Sequence, residues 1–60
     1  MNELDRLKYM IEELEVDMKK FYLKGNRTAS IRARKILQNI KKQAQVIRMD
    51  ISKTRRENDN

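Results

Sequence analysis

Seven basic residues and no acidic one fall between positions 18 and 35: Lys19, Lys20, Lys24, Arg27, Arg32, Arg34 and Lys35. Ammonium and guanidinium groups gathered in this way neutralise phosphates and release their counterions, which binds a polyanion without any covalent step. A second basic series, Arg34, Lys41, Arg48 and Arg55, recurs every seven residues. On a helix that spacing is one flank, with about 10.5 Å between successive members. Acidic residues lie mostly before the cluster: positions 1–17 hold six acids and two bases, and positions 36–60 hold six bases and three acids. Within a net charge of +6, this unevenness points to a polyanionic partner.

Each basic group also has a plain structural reading. Charges on a long helix keep it soluble, and Lys19, Lys20 and Lys24 sit where a helix C-terminus favours cations. Arg27 and Arg32 fall at the start of the following segment, where the dipole disfavours them, so they are the better candidates for binding. Tyr22 beside them has a face on which a base can stack, though a tyrosine at a helix edge also packs. No finger or recognition-helix signature is present, so contacts to the nucleic-acid backbone are expected rather than base readout.

Other chemistry is excluded by what the chain lacks. Cysteine and histidine are absent, which removes disulfides, thiolate or imidazole metal sites and histidine-activated nucleophiles. A pair of helices has no cleft to keep two carboxylates dry, so neither an enzyme, a cofactor nor a small-molecule substrate is expected. No run of eighteen apolar residues is present, hence no membrane span. The acidic start Met1-Asn2-Glu3-Leu4-Asp5 is unlike a secretory signal, and a cytosolic location is expected.

The elements that carry these charges are legible from heptads. Leu4, Leu7, Ile11, Leu14, Met18 and Phe21 follow intervals of 3 and 4, the a/d seam of a coiled coil. This predicts a helix over about 3–24. Ala33, Leu37, Ile40, Ala44, Ile47, Ile51 and Thr54 repeat the pattern and predict a second helix over about 27–56, with a polar tail at 57–60. Gly25 between them suits the left-handed residue that ends a helix, and either Asn26 or Thr28 suits the cap of the next.

Folded antiparallel, the two seams pair Phe21 with Ala33, Met18 with Leu37, Leu14 with Ile40, Ile11 with Ala44, Leu7 with Ile47 and Leu4 with Ile51. The fold point then lies near residue 27. In that register Glu15 lies near Lys41 on the basic flank and Lys8 faces Arg48. The other flank collects Glu3, Met10 and Asp17 with Ile36, Gln43 and Asp50. Two helices cannot bury such a seam fully. The expected architecture is therefore an all-α, antiparallel two-helix coiled-coil hairpin in a single domain over 1–60, dimerising into a four-helix bundle. A thinner apolar line, Tyr9, Val16 and Leu23, runs along the back of the first segment.

The stretch from Asp17 to Lys35, with Lys24-Gly25-Asn26-Arg27 and Arg32-Ala33-Arg34-Lys35 as its most specific parts, is followed by Leu37-Gln38 and Ala44-Gln45-Val46-Ile47-Arg48. This pattern, over about residues 4–52, resembles the bacterial linker-histone-like proteins, which include the chlamydial histone-like protein and short relatives in Bacteroidetes. The resemblance implies a nucleoid-associated protein of the bacterial cytoplasm that binds and condenses duplex DNA with little sequence preference. By position it carries over Lys20, Lys24, Arg27, Arg32, Arg34, Lys35 and Arg48; the flank adds Lys41 and Arg55. Met18 stands where relatives often have an aromatic residue, and Thr28 and Ser30 replace alanine or glycine. Longer members carry a Lys/Ala-rich tail where this sequence has Glu57-Asn58-Asp59-Asn60, so a homodimer would supply the multivalency. Two other readings fit a basic hairpin: a Rop-like dimer that binds structured RNA, by architectural analogy, and a coiled-coil module that recruits another helical protein.

Overall fold

The chain turns on two asparagines and one glycine. A computed structural model describes the backbone of residues 2–58 and the side chains of residues 2–55. Asn2 caps the first helix, its Oδ1 accepting from the Asp5 amide at 2.8 Å. Glu3 and Asp5 place negative charge in that first turn, where the helix dipole favours it. Helix α1 spans Glu3–Lys24. Gly25 ends it at φ 61°, ψ 28°, a left-handed conformation that costs an L side chain about 1–2 kcal/mol. The Gly25 amide donates to the Phe21 carbonyl at 2.9 Å, satisfying a helix-end acceptor.

Helix α2 spans Arg27–Asn58. Between Asn26 and Thr28, the cap is Asn26: its Oδ1 accepts from the Ala29 amide at 3.0 Å. Only Gly25 and Asn26 therefore lie between the helices. Ala29 and Ala33 are the two buried apolar residues among those described. Small and one turn apart, they let the helices approach closely beside this short turn.

The two helices pack on each other as an antiparallel hairpin about 54 Å long and 17 by 14 Å across. Their interface differs from the a/d seam in two respects. It is rotated toward the flank that carries Met10 and Ile36. Leu7, Leu14, Ile40 and Ile47 still face inward, but Met10 and Ile36 are half-buried, and Asp17 and Gln43 are buried. The a residues Leu4 (52%), Ile11 (49%), Leu37 (48%) and Ile51 (61%) are left exposed.

The register is also shifted. The Gln43 amide donates to the Glu3 carbonyl oxygen at 2.9 Å and to its carboxylate at 2.8 Å. The start of α1 thus lies beside Gln43, about two turns before Ile51. The short turn brings early α2 residues opposite α1, and the polar bonds of Asp17 and Gln43 hold that alignment. Since Gln43 lies beside Glu3 and α2 continues to Asn58, α2 runs on past the beginning of α1 by roughly 22 Å. Ile51 belongs to that projection.

Candidate nucleic-acid interface

Lys20, Lys24, Arg27, Arg32, Arg34, Lys35, Lys41, Arg48 and Arg55 all have exposed side chains. Their positions follow from the two helices. Lys20 and Lys24 lie on the last turns of α1, Arg27 opens α2, and Arg32, Arg34 and Lys35 follow within two turns. The tight turn therefore folds the basic run of the sequence into one end of the rod.

Within that end, Lys20 from α1 and Arg32 and Lys35 from α2 line one shallow groove together with two acids, Glu13 and Asp17, and with Val16, Ile36 and Asn39. Arg34, Lys41 and Arg48 lie on the other flank of α2, on either side of Leu37, because residues seven apart share a helix face. The nine residues thus form a cluster at the turn and a row leading away from it.

The members of the cluster do not have equal electrostatic freedom. Arg32 spans the hairpin to Asp17: its Nη2 lies 3.0 Å from Oδ1, and its Nε donates to Oδ1 and Oδ2 at 3.2 and 3.4 Å. The Asp17 side chain is 9% exposed and that of Arg32 is 50% exposed. Arg32 therefore compensates a buried carboxylate while keeping one side of its guanidinium in solvent. Lys20, Lys24, Arg27, Arg34, Lys35, Lys41 and Arg48 form no ion pair with a described residue. Glu15, expected near Lys41, pairs instead with Lys19 on its own helix at 3.0 Å. The rotated interface leaves Glu15 on the solvent side, where the residue four positions along is the nearest cation.

Helix α2 carries further exposed cations outside the heptad flank, Lys42 and Lys53. Lys42 joins Arg34, Lys35, Gln38 and Asn39 on the outward surface of α2. Its place seven residues after Lys35 is the signal that would have found it.

No cluster of three metal-ligating side chains occurs among the described residues, and no helix is long and apolar enough to cross a membrane. What the surface presents is a rod with exposed cations both at its turn end and along α2, an arrangement suited to anion binding. The family model described as histone H1-like protein Hc1 matches residues 1–57. The chain belongs to that histone H1-like family, a class of DNA-binding nucleoid proteins and not of enzymes. No curated protein and no solved structure matches it.

Proposed function

We propose that this protein is a nucleoid-associated, histone-like protein that binds duplex DNA through its phosphates, with little sequence preference, and works as a homodimer in the bacterial cytoplasm. The observation that carries the reading is the turn end of the hairpin. There Lys20, Lys24, Arg27, Arg34 and Lys35 are exposed and unpaired by any described acid. Unpaired cations on a rigid element can neutralise phosphates without first breaking an internal ion pair. Their spacing on helical backbones suits tracking of a duplex backbone and offers nothing aimed at base edges.

Lys41, Arg48 and Arg55 add a row that starts at Arg34 and runs along the other flank of α2, and Arg32 contributes the solvent side of its guanidinium. Coating and compaction of DNA then require more than one such end per particle, which dimerisation provides. Support for the dimer comes from the thin core. No large side chain is fully buried among the described residues, whereas Leu4, Ile11 and Leu37 lie about half exposed. A chain of this size is marginal without further burial, and a four-helix bundle would cover that edge.

A gel-shift titration against salt, on two unrelated duplexes and one structured RNA, tests the reading. Neutralising about five phosphates gives a slope of log affinity on log salt of about −4.5, equal for the two duplexes. Preference for the RNA at matched salt would favour the Rop-like alternative. Loss of all nucleic acid at physiological salt, with a helical protein retained, would favour the assembly module.

A further inference from the structure

We infer that a second copy of this chain packs on the Leu4–Ile11–Leu37 edge in antiparallel orientation, so that the two basic turn ends lie at opposite ends of the dimer. The inference rests on the homodimer reading above and adds its face and direction.

The face is identified by what the hairpin leaves uncovered. Leu4 and Ile11 on α1 and Leu37 on α2 are a residues that point to the same side of an antiparallel pair, and each is about half exposed. They adjoin the buried seam directly, so a second copy there continues an interface that already exists. The long face of the hairpin measures 54 by 17 Å. A standard stable interface buries roughly 800 Å² per partner, so a second copy must lie along most of this face.

The direction follows from charge and spacing. Seven bases and no acid occupy positions 18–35, while 1–17 hold six acids and two bases. Setting the two copies turn beside turn would bring two seven-base clusters together. Setting them end for end places each cluster near the partner's acidic start.

The apolar residues fit the same choice. Counting back from Gly25, Tyr22 is three residues away, Phe21 four, Ile11 fourteen and Leu4 twenty-one; counting on from Asn26, Leu37 is eleven. Turned about an axis between the levels of Ile11 and Leu37, a second copy lays α1 on its own counterpart and α2 on its own counterpart, so that Ile11 meets Ile11 and Leu37 meets Leu37. The same turn sets its Phe21–Tyr22 ring pair, whose centroids are 5.8 Å apart, against Leu4. The contact is self-complementary, as a two-fold interface must be. Arg34 and Lys41, on either side of Leu37, fall at its rim and keep their charged heads in water.

The chain has no cysteine, so a single nitroxide on Thr28→Cys, an exposed position in the first turn of α2, reports the orientation. Light scattering should give the mass of two chains. Double electron–electron resonance should give a distance of about 30–40 Å between labels, from 1.5 Å of rise per residue along the rod. A two-chain mass with labels closer than about 20 Å would overturn the orientation and leave the homodimer standing. A one-chain mass would overturn both, whatever the DNA titration shows. Ile11→Glu with Leu37→Glu, its helicity checked by circular dichroism, should give a one-chain mass; a helical variant that stays dimeric would overturn the face.

Discussion

Arg32 and Asp17 are joined across the hairpin, Nη2 to Oδ1 at 3.0 Å with Nε donating to both carboxylate oxygens. The carboxylate is buried and the guanidinium is half exposed, so the pair is held together more by the needs of Asp17 than by those of Arg32. Replacing Arg32 by alanine leaves a buried acceptor without its donors, which costs about 1–3 kcal/mol. Thermal unfolding should show it as a clear drop in Tm, and adding Asp17→Asn should restore part of the deficit. An Arg32→Ala protein as stable as the parent would mean that the pair contributes nothing to the fold.

The turn has its own signature. Gly25 adopts φ 61°, and a Cβ there would meet nothing within 4 Å, so the penalty of Gly25→Ala is one of backbone conformation alone. About 1–2 kcal/mol of destabilisation is expected, and less for Gly25→Asn, since asparagine tolerates this conformation better. Asn26→Ala removes the Ala29 cap and should cost about 1 kcal/mol. Denaturant midpoints of the three variants check the order.

Charge reversal separates the turn end from the row. Lys24→Glu with Arg27→Glu and Lys35→Glu should abolish the DNA shift at physiological salt while helicity is kept. Lys41→Glu with Arg48→Glu should weaken binding and flatten the salt slope by about 0.9 for each phosphate that is no longer neutralised. If the second variant binds more weakly than the first, the row and not the turn end is the principal surface.

An antiparallel dimer has two separated cationic ends, so one particle should hold two duplexes. Immobilised DNA is expected to retain a second, labelled duplex only when the protein is present, and the Ile11→Glu, Leu37→Glu variant should bind DNA without retaining the second duplex. Equal retention by that variant would show that bridging does not need the edge.

The heptads made both helices and their antiparallel pairing legible, because a 3.5-residue apolar repeat broken by a lone glycine has few other solutions. Which two rows of the repeat meet was not legible. Met10 and Ile36 are as apolar as Leu4 and Leu37, so hydrophobicity could not choose between the edges. The choice is made by Asp17 and Gln43, whose polar side chains read as surface in the sequence but are buried and satisfied by Arg32 and Glu3. The same groups move the register from Leu4 opposite Ile51 to Glu3 beside Gln43. For the site, the basic cluster was visible as an acid-free window. The tie that distinguishes Arg32 from its neighbours needed the third dimension, since Asp17 lies fifteen residues away across the turn.

The most direct test is the salt dependence of binding to two duplexes of unrelated sequence. Two superimposable lines with a slope near −4.5 are expected, for about five phosphates neutralised at each turn end. Affinity that ignores salt, or lines that separate with sequence, would contradict binding through the phosphate backbone.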